Sequence, residues 1–341
     1  MTTQEINIPT ALMEPQRPSS APLLAAIDIG GTKIAAGLVE ADGTLVYQVQ
    51  HPTPAEEGAA AVIRAVYEAV DDLAADPRWS QVRGLGIGSA GPIDIAAGTV
   101  SPVNIPCWRK FPLVRAVTAH PAVARLPTVL GGDAVAMAAA EHWCGAARGH
   151  DNALCLVVST GVGAGLILNG AVHPGPSGNA GHLGHISVDL DGAPCACGSR
   201  GCLEGLASGT AITRRALENG WRPGGPGVPG GTVASAAAVA ASARAGDPIA
   251  LASFDRAGQA LAAGIAAVAD LVDIEVAIVG GGVAKAGEVL FAPLERHLKD
   301  YLALSFTLGV TAIPAHLGTD AGLIGAAALV APVALRGATA R

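Results

Sequence analysis

The strongest constraint on the fold is an event that occurs twice: an apolar run of strand length that stops on glycines. Residues 23–29 (LLAAIDI) run into Gly30-Gly31-Thr32, and residues 153–158 (ALCLVV) run into Ser159-Thr160-Gly161-Val162-Gly163-Ala164-Gly165. Short apolar runs bounded by turn residues read as buried strands. A hairpin signal follows each, at 34–39 and 44–50 around Asp42-Gly43, and at 165–168 and 171–173. The order repeats although the residues do not, which predicts two similar lobes facing one cleft, each with a glycine turn at its mouth. Further strands are expected at 84–89, 127–130 and 275–279, and helices at 58–75, 134–145, 206–219, 232–245, 247–272 and 320–331.

Composition narrows the class. Half of the 341 residues are hydrophobic and 14% are charged, which excludes extended disorder and suits two lobes of ordinary size. Only 3% are aromatic, so the core must be built from Ala, Val, Leu and Ile. A net charge of −7 argues against a general nucleic-acid binder, which needs clustered Lys and Arg. No apolar run reaches the roughly 18–20 residues of a membrane span. Residues 1–20 have no basic segment followed by an apolar one, so they read as a mobile tail rather than a signal peptide. The Gly/Pro-rich stretch 220–231 is likewise expected to be mobile. Six cysteines, three of them clustered, fit a reducing compartment, and the expected location is the cytoplasm.

Three glycine turns carry candidate chemistry. In Asp28-Ile29-Gly30-Gly31-Thr32-Lys33 a glycine pair directly after a strand lets backbone N–H groups approach phosphate oxygens. Thr32 adds a hydroxyl donor, and Asp28 at the strand end suits a water-bridged Mg²⁺. The competing reading is a hairpin turn with no ligand. The second turn, 159–165, lacks the Gly-Lys-Ser/Thr ending of a P-loop and is not placed between strand and helix. Val279-Gly280-Gly281-Gly282-Val283 forms a third turn, suited either to an adenine ring against backbone or to a plain helix entry.

Between 185 and 204 the chain reads His185, Cys195, Cys197, Cys202 and Glu204 among glycines and a proline. Three thiols and an imidazole at this spacing have the make-up of a closed tetrahedral zinc site, the alternatives being neighbouring buried thiols or a disulfide. Four protein ligands leave no open position, so such a metal is structural. It would order the loop from His182 to Glu204.

Taken in order, AIDIGGTKIAAG, GIGSAGPID, GDAVAMAAAE, VVSTGVGAG, AGHLGH, CACGSRGCLEGLASG and IVGGGVA resemble the ROK family of bacterial sugar kinases and related repressors, from about Leu23 to Leu329. The resemblance implies an α/β, two-lobed, actin/hexokinase-like (ribonuclease H-like) ATPase fold with a cleft between the lobes and a zinc knuckle at 185–202. One lobe would comprise 21–131 with 320–341, the other 132–319. It implies ATP, Mg²⁺ and structural Zn²⁺ as cofactors, a sugar and a nucleotide as ligands, and a homodimer, while the net charge and the lack of an apolar span leave no nucleic-acid or membrane partner expected. Gly30, Gly31 and Thr32, next to Lys33, would cradle the phosphates together with Thr160, Gly161 and Gly163, while Gly281 and Gly282 would lie by the adenosine. Asp133 matches the catalytic aspartate, the base that takes the proton from the sugar 6-hydroxyl as it attacks the γ-phosphorus. The competing reading of Asp133 is a helix N-cap ahead of AVAMAAAE, a role it would partly fill in either case.

The sequence departs from the family pattern twice. Gly132 stands where the family usually has a sugar-binding Asn, and His182 stands where most of its kinases carry Glu. AGHLGH is similar instead to the N-acetylmannosamine kinases, which makes that sugar the expected substrate, ahead of glucose and N-acetylglucosamine. An imidazole is expected to donate to an N-acetyl carbonyl, where a carboxylate only accepts. Asn104, His185 and Glu204 are further candidates at the sugar. The repressor alternative needs a helix-turn-helix domain ahead of the first turn. The 27 residues before Asp28 show no helical periodicity or basic recognition helix, so a kinase is expected. A non-catalytic sugar-binding protein is the remaining alternative.

Overall fold

The computed structural model describes residues 21–224 and 233–336, so the expected tail at 1–20 and residues 225–231 of the expected mobile loop lie outside the described residues. The first lobe is built on β1 (Leu23–Ile29), β2 (Lys33–Glu40), β3 (Leu45–Pro52), α1 (Ala59–Ala75) and β4 (Val82–Ser89). A small ribbon, β5 (Ile93–Asp94) and β6 (Thr99–Val100), precedes α2 (Leu113–Thr118) and β7 (Thr128–Gly132). The second lobe begins with α3 (Asp133–Cys144), β8 (Ala153–Val158), β9 (Val162–Leu168) and β10 (Ala171–His173). It continues with α4 (Glu204–Ala207), α5 (Gly209–Glu218), α6 (Ala236–Arg244), α7 (Pro248–Val272), β11 (Val276–Gly280), α8 (Glu288–Tyr301) and β12 (Thr311–Pro314). The last helix, α9 (Ala321–Ala334), returns to the first sheet.

The repetition read from the sequence is a repetition of topology. The sheet orders are β3-β2-β1-β4-β7 and β10-β9-β8-β11-β12. In each, two antiparallel pairings form the hairpin side and two parallel pairings the other. Both sheets are covered on two faces, and strand alternation sorts the faces. Along β1, Leu23, Ala25, Ile27 and Ile29 pack with Val62, Val66 and Val70 of α1, while Leu24 and Ala26 pack with Leu323, Ala327 and Val330 of α9. Asp28 is the next even position, so the period of two sends its carboxylate toward α9. Along β8, Leu154, Leu156 and Val158 join the cluster under α5–α8, and Ala153 and Cys155 join Met137 and Ala138 of α3.

The two helices that bridge the lobes meet backbone to backbone. A Cβ on Gly325 of α9 would fall 2.1 Å from the Ala136 carbonyl of α3, and one on Gly86 of β4 would fall 1.6 Å from the Ala326 carbonyl. An alanine-rich, aromatic-poor sequence permits this closeness. The expected helix at 206–219 is broken, because Ser208 turns extended (φ −63°, ψ 157°) and its hydroxyl caps α5 by accepting from the Ala211 N–H. No element was expected over Glu288–Tyr301, a helix that carries Pro293 in its interior.

Candidate functional site

A cleft of about 870 Å³ opens between the sheets, lined by Asp28, Asn104, Gly132, Asp133, Thr160, Gly161, Gly163, His182, His185, Glu204 and Gly281. Gly30, Gly31, Thr32 and Lys33 are not part of that lining, and the Thr32 and Lys33 side chains are exposed. The turn they form is closed by the Gly30 N–H donating to the Lys33 carbonyl and by the Thr53 hydroxyl donating to the Gly30 carbonyl. Gly31 lies against the Asn104 side chain, 2.7 Å from where a Cβ would be. Asn104 is thereby brought to the phosphate-type turn.

Asp133 is the first residue of α3, and its Oδ1 accepts from the Ala134 N–H at 2.7 Å. Burial raises its carboxyl above the usual aspartate range, while the Ala134 N–H and the nearby His182 pull it down. Asp28 is pushed up to about 6, first by burial and then by the charge of Asp133, with Lys33 opposing. Gly322, in the first turn of α9, closes on Asp28, since a Cβ there would stand 2.4 Å from Asp28 Oδ2. Two carboxylates in one cleft with raised proton affinity suit a hard divalent cation such as Mg²⁺, which would sit with its waters beside Asp28 and neutralise phosphate charge.

Asp28 therefore costs the metal-free fold stability. Its folded pKa exceeds the unfolded value near 3.8, so the penalty grows as pH rises from about 4 to about 6 and is full above that. Asp28→Asn is expected to raise the melting temperature of the metal-free protein at pH 7.5, by on the order of 2 kcal/mol of stability once solvent access is discounted. Turnover should be lost in the same variant. A calorimetric scan showing no stabilisation would remove the buried-charge reading.

The second turn is tied to the end of the knuckle loop. Glu204 Oε2 accepts from the Val162 N–H at 2.9 Å and lies 2.5 Å from a Cβ placed on Gly161. Only glycine at 161 lets the carboxylate approach so closely, and Glu204 uses one amide of the turn that the sequence reading gave to phosphate. The Gly209 N–H and the Thr210 hydroxyl bond the Ser159 and Thr160 carbonyls from α5. The third turn, at the end of β11, has Gly281 at φ 89°, with a would-be Cβ 2.4 Å from the Val158 carbonyl. Gly282 follows it, exposed, beside Ser159.

His182 carries a correction. Its Nδ1 lies 2.8 Å from the Asn179 carbonyl, which only accepts, so Nδ1 holds the proton. In the neutral ring Nε2, the nitrogen near Gly91, is then an acceptor, and the donor role expected for it is not available there. Asn179 itself was missed. Its side-chain amide accepts from the Ile93 N–H and donates to the Ile93 carbonyl, joining the lobes beside the site. Its only signal in the sequence was an amide within a glycine-rich loop.

Ligand atoms of His185, Cys195, Cys197 and Cys202 all lie within 4.8 Å of one another. Cys197 Sγ is 3.7 Å from Cys202 Sγ, and Cys195 Sγ is 3.9 Å from His185 Nδ1. Zn–S bonds of about 2.3 Å give a tetrahedron edge of about 3.8 Å, so the residues fit zinc. Burial and the neighbouring thiols push Cys202 up to about 12, whereas the Ser199 N–H holds Cys197 below the usual thiol value. Three adjoining thiols cannot all ionise without a cation, and a dication supplies what the donor set needs.

A cleft lined by glycine turns, hydrogen-bonding side chains and two carboxylates is built to move a phosphoryl group onto a small polar molecule, and it places the chain among the two-lobed kinases. The ROK family model matches residues 24–332. A glucokinase of Thermotoga maritima is 36% identical over 319 residues, 90% of this chain and 96% of the relative. An N-acetylmannosamine kinase of Yersinia pseudotuberculosis is 37% identical over 303 residues, 89% and 96% respectively. The crystal structure of a ROK glucokinase from Streptomyces griseus in complex with glucose and AMPPNP superposes with a TM-score of 0.75 at 35% identity, covering 92% of this chain and all of that one. The chain belongs to the ROK family, and it is an ATP-dependent sugar kinase. No helix among the described residues is long and apolar enough to cross a membrane.

Proposed function

We propose that the chain transfers the γ-phosphoryl group of Mg-ATP to the 6-hydroxyl of an N-acetylhexosamine, with N-acetylmannosamine the preferred acceptor. The observation that carries this is the room at Gly132. Its φ of −66° and ψ of 150° are open to any residue, and a Cβ there would meet nothing nearer than 3.9 Å. Glycine is thus not needed by the backbone, and the missing side chain leaves cleft space next to Asp133 for a substituent larger than hydroxyl. His182 Nε2 accepts from the acetamido N–H, or from a hydroxyl if glucose binds. Asp133 takes the 6-hydroxyl proton, and the amide-lined turns and Asp28 hold the Mg-nucleotide in line.

Glucose is the second reading, favoured by relatives of 36% and 35% identity that are glucokinases. A coupled ADP-release assay over N-acetylmannosamine, N-acetylglucosamine, glucose and mannose decides between them. N-acetylmannosamine should give the highest kcat/KM, and Gly132→Asn should lower its ratio to glucose by about tenfold as the pocket is filled. Far better turnover of glucose, or an unchanged ratio in Gly132→Asn, would overturn the preference.

A further inference from the structure

Glu141 breaks three local rules at once. It lies in the last turn of α3, where the helix dipole disfavours a negative charge. It is fully buried, and no cationic side chain pairs with it among the described residues. Buried acids of this kind are retained only where their oxygens are fully used. Here Oε2 accepts from the Ala146 N–H at 2.7 Å and the His316 N–H at 3.2 Å, while Oε1 accepts from the His316 N–H at 3.1 Å and the Leu317 N–H at 3.0 Å. Gly145 makes the geometry possible, because a Cβ at that position would fall 2.1 Å from Glu141 Oε2.

The loop that Glu141 grips is the one between β12 and α9. On its other side the Ala315 N–H donates to the Val279 carbonyl, and the Ala315 Cβ lies 2.9 Å from a Cβ placed on Gly280 of the third glycine turn. Pro314, Ala315 and Gly318 line the cleft together with Gly280, Gly281 and Lys285. Four residues beyond Gly318 comes Gly322, which closes on Asp28. Upstream on α3, Asp133 is eight residues away, about 12 Å along the axis. One buried carboxylate thus joins the helix that carries Asp133 to the segment that forms one wall of the third-turn end of the cleft and then reaches Asp28.

We propose that Glu141 is a positioning residue for phosphoryl transfer, fixing the nucleotide wall at 315–318 relative to the helix of Asp133. This rests on the reading that the third-turn end of the cleft takes the nucleotide. Glutamine is not an adequate substitute: whichever way its amide turns, an NH₂ group faces a backbone N–H that needs an acceptor. Glu141→Gln is therefore expected to raise KM for ATP at least fivefold, with KM for the sugar within twofold. Gly145→Ala, which keeps the carboxylate but displaces it, should shift KM for ATP in the same direction.

Amide hydrogen exchange at His316 and Leu317 should accelerate in both variants, a readout independent of turnover. If wild-type protein turns over no sugar, the functional reading fails, and exchange still reports whether Glu141 holds the loop. A purely structural role predicts a lower melting temperature with KM for ATP unchanged in the folded fraction. KM for ATP within twofold of wild type in both variants, or unaltered exchange at His316 and Leu317, would overturn the proposal.

Discussion

Asp133→Asn is expected to lower kcat by roughly 10³-fold while leaving nucleotide affinity within a few-fold of wild type, the range by which a positioned general base contributes. The substitution is close to isosteric, and its amide oxygen still accepts from the Ala134 N–H, so the start of α3 is preserved. What is lost, in the proposed reading, is a basic oxygen at the point where the acceptor hydroxyl gives up its proton. As the proposed base, the same carboxyl is expected to set the acid limb of activity. Burial raises both Asp133 and Asp28, and the charge of Asp133 raises Asp28 further. A base works only when ionised. kcat/KM should therefore fall as pH drops through values above the ordinary aspartate range, and Mg²⁺ saturation should move that limb downward. Activity of Asp133→Asn within tenfold of wild type in a coupled ADP assay would remove Asp133 from the role of base.

How much of this was legible in the sequence depends on the range of the interaction. The strand–glycine–hairpin event at 23–50 and at 153–173 is local, and both sheets contain it as read. The knuckle was legible because its four ligands fall within eighteen positions, and the structure gathers them. Asp28 marked the end of a strand, but its direction toward α9 needed the knowledge that both faces of β1 are covered. Gly322 was invisible, as an ordinary helix glycine whose partner lies nearly three hundred residues away. Asn179 and Glu141 were missed for the same reason: their partners are backbone groups at Ile93, His316 and Leu317, and backbone leaves no mark in composition. For His182 the sequence left open which ring nitrogen faces the cleft, because the tautomer is set by the Asn179 carbonyl and not by residue type.

The knuckle supports the second large effect. Removing its metal, or replacing Cys202 by Ser, should lower kcat/KM for the sugar by about 10–100-fold while changing KM for ATP much less, the scale seen when ligand orientation at a metal is lost. The asymmetry follows from what the loop touches. His185 lines the cleft, and its ring stacks at 6.4 Å on that of His182, the residue whose Nε2 is turned to the acceptor sugar in the proposed reading. At the far end of the loop, Cys202 is two residues from Glu204, whose carboxylate holds the Val162 N–H of the second turn. A loose knuckle therefore releases the sugar side first and the phosphate turn only through one hydrogen bond. The third glycine turn is packed on Val158 and Ala315 and makes no bond to the knuckle among the described residues. Without a cation, burial and the neighbouring thiols keep Cys202 a protonated thiol, and the four side chains lose the shared partner that holds them at one point. Metal analysis should find one zinc per chain, released by chelation together with sugar affinity and restored on readdition. Protein purified without stoichiometric metal and still fully active, or a chelated form whose KM for ATP rises as much as that for the sugar, would show that the knuckle does not order the sugar side.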